Sequence, residues 1–140
     1  MIRYYIGIDP GKTGAIGLVK PGGRKVLVYD TPTPQDLNRH LTNCVGPRGS
    51  AVAVIEDVHA MPKQGVSSTF KFGKSFGEAI GVLVAWGIPL DYVRPQVWKK
   101  MFGLVRKDKD DSRRKARELW PYMDEKLKRK KDDGRAEALL

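Results

Sequence analysis

Residues 4–19 begin the chain with an apolar run, one carboxylate at Asp9, a turn rich in proline and glycine, and a second apolar run. Pro10, Gly11 and Gly14 mark a tight reversal, because such a turn favours residues that tolerate positive φ. Two strands are therefore predicted over 2–8 and 14–20, with Asp9 delivered at the end of the first. A lone acid at a strand end is a place to hold a metal, although Asp beside Pro and Gly reads equally well as a turn former.

Pro21-Gly22-Gly23 turns the chain into Lys25–Tyr29, which completes a three-stranded antiparallel meander. Thr31 to Pro34 ends that unit, and Gln35 to Cys44 has helical spacing, with Leu37 and Leu41 on one face. Ala51–Ile55 is a compact apolar run that predicts a strand buried on both faces, ending at Glu56-Asp57. After a loop over 60–66, Ser67 or Ser68 can cap a helix running to about Trp86. Gly73, Gly77 and Gly81 repeat along it every four residues. Each interior glycine costs about 0.8–1.0 kcal/mol relative to alanine, so three on one face imply close approach, either by the sheet or by a second subunit. Leu90–Val93 predicts a strand, and Pro95 starts a short helix through Lys100. Asp110, Asp111 or Ser112 then caps a basic helix ending near Trp120, and a further helix is predicted from Pro121 into Lys126–Lys131. Asp132-Asp133-Gly134 breaks it, and Arg135–Leu140 has the pattern of a final helix, expected to be incomplete at six residues.

The chain of 140 residues suits one ordinary domain, here 1–140. Its net charge of +10 goes well beyond what solubility requires and implies a polyanionic partner. The surplus is concentrated late: residues 94–140 hold 16 Lys/Arg against 9 Asp/Glu. These cations suit phosphate contacts, which add salt-sensitive affinity without reading sequence. A single cysteine, Cys44, allows no internal disulfide and fits a reducing, cytoplasmic setting. No apolar run approaches the roughly 18 residues of a membrane span.

Asp9, Glu56 and the pair Asp133/Glu137 each sit where an element begins or ends. Carboxylates gathered from separate elements repel unless cations lie among them, and Mg²⁺ prefers such oxygen ligands. Two ions roughly 3.5–4 Å apart can activate water and stabilise the leaving oxygen in phosphodiester hydrolysis. Each acid also has a plainer reading as a turn former or helix cap. A final helix that begins at Asp133 would put Asp133 and Glu137 on one face. Lys107 and Lys109 are the cations expected nearest a scissile phosphate, where they would stabilise transition-state charge. Gly11-Lys12-Thr13 is not a Walker A loop, since Ile6 stands where its first glycine is required. His40 and His59 are too few and too far apart for a local zinc motif; His59 suits stacking on a base or moving a proton, and equally a plain surface loop.

The order Gly7-Ile8-Asp9-Pro10-Gly11, Ile55-Glu56-Asp57-Val58, Gly73-Lys74-Ser75-Phe76-Gly77, Arg94-Pro95-Gln96-Val97-Trp98-Lys99 and Ala136-Glu137-Ala138-Leu139 resembles the RuvC-type Holliday-junction resolvases, most closely their shorter phage-encoded members. The likeness covers nearly the whole chain. It implies an α/β, RNase H-like fold with a five-stranded mixed sheet flanked by helices. It also implies a homodimer formed through the 67–86 helix that makes paired nicks in four-way junctions and other branched DNA. Two Mg²⁺ per site, with Mn²⁺ substituting, would be held by Asp9, Glu56 and acids of the last helix, Asp133 and Glu137 being favoured and Asp132 left open. Lys109 matches a basic residue near the family's active site. The candidate DNA contacts are Lys12, His59, Lys63, Lys74, Lys99, Lys100, Lys107, Arg113 and Arg114. Two positions depart from the pattern: His59 stands where an aromatic residue is usual, and the last-helix acids are four rather than three apart, with Gly134 between them.

A phage nuclease of this kind would act in host cytoplasm and unbranch DNA before packaging. The alternatives are a module that binds branched DNA without cutting it, and an RNA-processing nuclease of the same superfamily. A sugar kinase or actin-like ATPase, whose phosphate loop also resembles Gly7–Gly14, needs two such lobes, more than 140 residues supply.

Overall fold

The computed structural model describes residues 1–11, 13–46 and 50–140. Over these, β1 (Tyr4–Asp9), β2 (Ala15–Val19) and β3 (Val26–Asp30) form the expected meander, reversed after β1 at Gly11 with φ 125°. Next come α1 (Pro34–Cys44), β4 (Ala51–Glu56), α2 (Val66–Ala85), β5 (Leu90–Val93), α3 (Pro95–Met101) and α4 (Lys109–Leu119). A 3₁₀ turn at Pro121–Met123 leads to α5 (Asp124–Leu127), and another at Lys130–Asp132 leads to α6 (Asp133–Leu139). The sheet order is β3-β2-β1-β4-β5. Its first two pairings are antiparallel, while β1 pairs parallel with β4 and β4 with β5. The expected five-stranded mixed sheet flanked by helices is the observed fold.

Alternation along the strands divides the core between the two faces of the sheet. On one, Ile6, Ile8, Ile16, Leu18 and Ile55 pack against Leu37 and Leu41 of α1 and Ala79 and Leu83 of α2. On the other, Val26 and Val28 meet Ala116 of α4, Leu127 of α5, and Ala136 and Leu139 of α6. Helix α6 contacts β1, β2 and β3, and leaves the β4 side of this face open. Val54 is consequently exposed, so β4 is covered on one face only, contrary to the two-sided burial read from its composition.

Several boundaries differ from expectation. Gly65 precedes α2 without any side-chain cap, so neither Ser67 nor Ser68 starts it. Asp108, not Asp110, Asp111 or Ser112, caps α4: its side chain accepts from the Asp111 backbone N–H at 3.0 Å while the Asp111 carboxylate accepts from the Asp108 N–H at 3.2 Å. This reciprocal pairing satisfies two donors that the helix start leaves free, and such a cap is worth about 1 kcal/mol. The predicted 121–131 helix is instead two 3₁₀ turns around a single turn of α5, and Gly134 lies inside α6 rather than ending a helix. Finally, Gly73, Gly77 and Gly81 have nothing within 4 Å of a notional Cβ. They do not pack on the sheet. They lie instead along an exposed seam with Val66, Phe70 and Val84, which are 88%, 72% and 64% exposed.

Candidate active site

Asp9 and Glu56 are the last residues of adjacent parallel strands, one step beyond the paired Ile8 and Ile55. Both side chains fall on the face that α6 crosses. What lets α6 lie so close is a pair of glycines in register, Gly7 and Gly17. A Cβ on Gly7 would stand 1.9 Å from the Ala138 carbonyl oxygen, and one on Gly17 would stand 2.5 Å from it. Gly134 does the same at the start of the helix, where a Cβ would meet Asp9 Oδ2 at 2.7 Å and the Thr13 carbonyl oxygen at 2.7 Å.

Seven residues make a poor helix in isolation, and α6 is held from outside. Arg135 donates to both Asp30 carboxylate oxygens at 2.7 and 2.8 Å and to the Lys126 carbonyl at 3.1 Å. Asp132, 2% exposed, accepts from the Arg129 backbone N–H at 2.9 Å and from its guanidinium at 2.9–3.2 Å. That network engages Asp132 at the foot of α6, whereas Asp133 and Glu137, one turn apart, interact electrostatically with the strand-end acids.

The electrostatics are those of crowded negative charge. Asp9 has its pKa pushed up to about 8, chiefly by burial, then by Glu137 and Glu56, with Lys109 opposing and Asp133 adding to the rise. Burial also raises the Glu137 carboxyl, with Glu56 and Asp133 adding to the rise while Lys109 and Lys99 oppose it. Lys109 Nζ lies 2.9 Å from Asp133 Oδ2, and that hydrogen bond holds the ammonium pKa above its usual value. Among the described residues no three His, Cys, Asp or Glu side chains are gathered tightly enough to form a ready ligand group. The donor set nonetheless fits a hard divalent ion: it is all carboxylate oxygen, partly desolvated, and its mutual repulsion is what such an ion relieves.

One contact was not read from the sequence. Trp98 of α3, 7% exposed, donates its indole N–H to Glu56 Oε2 at 2.8 Å. The sole sequence signal was its place in Arg94-Pro95-Gln96-Val97-Trp98-Lys99.

The candidate DNA contacts are placed unevenly. Lys99 lies near the acids, its Nζ 5.5 Å from the Trp98 ring centroid. His59 is exposed, 3.9 Å from Asp57 Oδ2, at a cavity of about 740 Å³ that Glu56, Phe72 and Arg94 also line. Lys63, Lys100 and Lys107 are exposed, Lys74 pairs with Glu78 at 3.7 Å, and Arg114 pairs with Asp111. Arg113 is turned inward: its side chain is 13% exposed and donates to the Lys128 carbonyl at 2.8 Å and to Asp110. Lys12 lies outside the described residues.

No family model matches the chain. A crossover junction endodeoxyribonuclease RuvC from Nitratidesulfovibrio vulgaris strain DP4 is 32% identical over 118 residues, covering 75% of this chain and 70% of the relative. The RuvC of the Hildenborough strain matches with the same identity and coverage. Among solved structures, Thermus thermophilus RuvC in complex with a Holliday junction substrate superposes with a TM-score of 0.65 at 18% identity, covering 97% of this chain and 90% of that one. A second T. thermophilus RuvC structure gives 0.57 at 19% identity, with 97% and 91% covered. The sequence relationship extends over most of both chains and the fold agrees with it: the chain is a member of the RuvC family.

Proposed function

We propose that this protein is a metal-dependent, structure-selective DNA endonuclease that resolves Holliday junctions by paired strand nicking. The observation that carries the reading is the approach of Glu137 and Asp133 of α6 to Asp9 and Glu56 at two parallel strand ends, where burial first and then the neighbouring carboxylates raise Asp9 to about 8. Crowding carboxylates in this way opposes folding, and perturbed carboxylates of this kind mark functional sites. The N. vulgaris relatives, crossover junction endodeoxyribonucleases, and the T. thermophilus RuvC complex with a Holliday junction support the substrate class.

Asp9, Glu56, Glu137 and Asp133 would hold Mg²⁺, with Mn²⁺ able to substitute and two ions per site. Such ions, when bound, supply an activated water and charge stabilisation at the leaving oxygen. The chain's own residues do the rest. Lys109 holds Asp133 by its ammonium and adds positive charge beside the position of a scissile phosphate. Lys99, Lys100, Lys107 and Arg114 would offer cations to the DNA backbone, as would Lys63 and Lys74. His59, exposed beside the Glu56 cavity, would stack on a base or move a proton at the junction. Arg113 serves α4–α5 packing in the free protein and reaches DNA only by leaving its present partners.

Two copies are needed to nick two strands. The exposed seam of α2, with its three open glycines and unpartnered Val66, Phe70 and Val84, is the surface we assign to the homodimer. The phage setting follows from the resemblance to shorter phage-encoded members. Among the described residues no helix is long and apolar enough to cross a membrane.

The test is incubation with a labelled four-way junction and a matched linear duplex, with Mg²⁺, with Mn²⁺ and with chelator. Paired nicks confined to the junction and dependent on the ion are expected. Junction binding with no nicks under any ion would reduce the protein to a binding module.

A further inference from the structure

Glu56 ends β4 with a side chain free to rotate about three torsions, and a ligand so mobile binds an ion weakly unless something fixes it. The neighbour that does so comes from α3. Trp98 is 7% exposed, and its Nε1–H reaches Glu56 Oε2 at 2.8 Å. An indole N–H is a donor only, and when buried it needs an acceptor; here that acceptor is a carboxylate 42 residues away rather than a backbone carbonyl. The plain alternative is that Trp98 is a core residue whose polar tip has merely found a nearby oxygen.

We propose that Trp98 is a positioning residue for the site, holding Glu56 by Oε2 so that Oε1 is left for the divalent ion, an inference that rests on the metal-site reading above. Two features favour this role over simple packing. The donor is neutral, so it orients the carboxylate without cancelling the charge that attracts the ion. In this it differs from the Lys109 ammonium on Asp133, which neutralises its partner. The same short helix also carries a cation against this indole: Lys99 Nζ lies 5.5 Å from the Trp98 ring centroid. Helix α3 thus orients one carboxylate by a hydrogen bond and holds a positive charge over the ring that donates it. Hydrogen-bonded partners of metal-ligating carboxylates typically contribute about 10- to 100-fold in metal affinity.

The test is Mn²⁺ binding to the DNA-free protein, measured by calorimetry, which needs no turnover. Trp98→Phe keeps an aromatic ring and removes the donor. Placing benzothienylalanine at position 98 keeps the whole bicyclic shape with sulfur in place of N–H, so it serves if the phenylalanine variant does not fold. Affinity weaker by about tenfold or more, with junction binding in chelator unchanged, is expected of either folded variant. Glu56→Gln, measured alongside, separates the two levels of the argument. If it loses Mn²⁺ binding while the Trp98 variants bind as wild type, the positioning role is overturned and the metal site stands. If Glu56→Gln itself binds Mn²⁺ as wild type, the metal-site reading fails and this inference with it.

Discussion

Gly7 lies directly under the carbonyl oxygen of Ala138, so close that a Cβ would stand 1.9 Å from it. The absence of a side chain at one strand position therefore sets the height of α6 above the sheet, and with it the approach of Glu137 to Asp9. A methyl group here cannot be absorbed by a side-chain rotation, because the atom it meets is backbone.

Gly7→Ala should lower stability by about 1–3 kcal/mol, the usual cost of overpacking, and should reduce junction cleavage more than junction binding. Gly22→Ala, at a glycine with nothing within 4 Å of its Cβ position but with φ of 83°, should also lower stability, through backbone strain, without displacing α6, and so separates lost stability from lost site geometry. Thermal unfolding and cleavage assays on both variants check this; cleavage by a folded Gly7→Ala protein at the wild-type rate would contradict it.

The raised pKa of Asp9 has a consequence for stability against pH. A folded pKa of about 8 lies above the usual unfolded carboxylate value, so the folded state holds the proton more tightly. The contribution of Asp9 to the stability of the metal-free protein therefore falls as pH rises from about 4 to about 8, and this group contributes no pH dependence below about 4. In chelator, Asp9→Asn should melt several degrees above wild type at pH 8, with the gap closing toward pH 4. Saturating Mg²⁺ should narrow the gap at pH 8 by binding the folded wild type. A Tm difference independent of pH would contradict the raised pKa that burial and the neighbouring carboxylates give Asp9.

Asp132 and Asp133 are neighbours in sequence with different partners. Asp132 is tied to Arg129, and Asp133 to Lys109. Asp132→Asn should lower Tm and leave Mn²⁺ affinity of the folded protein unchanged, whereas Asp133→Asn should weaken Mn²⁺ binding with little effect on Tm, because Lys109 is largely exposed and exposed pairs contribute little. Calorimetry and thermal melts on the two variants decide it, and the reverse pattern would move the metal ligand to Asp132.

The α2 seam predicts assembly. Wild-type protein at tens of micromolar should sediment as a dimer and Phe70→Glu as a monomer, since a charge buried within an apolar seam opposes association. A wild type that sediments as a monomer would leave the seam without the partner assigned to it.

Local pattern made much of this fold legible, and tertiary contact made the rest illegible. Alternation and turn residues located β1, β2 and β3 to within two residues, because a meander is built from neighbours in sequence. The strand-end positions of Asp9 and Glu56 followed from the same reading. The capping of α4 was misplaced because Asp108, Asp110 and Asp111 are equivalent as local signals, and the Asp108–Asp111 pairing alone separates them. Burial of β4 was overestimated because its composition suits a covered strand, while whether α6 reaches Val54 depends on where that helix crosses the sheet. Arg113 looked like its neighbour Arg114, and the Lys128 carbonyl that turns it inward is 15 residues away. The hydrogen bond from Trp98 to Glu56 spans 42 residues and leaves no periodic trace in the sequence.

The central claim is that the carboxylate cluster around Asp9 cuts branched DNA, and the most direct measurement compares wild type with Asp9→Asn on a labelled four-way junction in Mg²⁺, with binding followed in chelator. Paired nicks by the wild type and none by the variant are predicted, with junction affinity unchanged or tighter in the variant because one negative charge facing phosphate is gone. Equal cleavage by the two proteins would contradict the account.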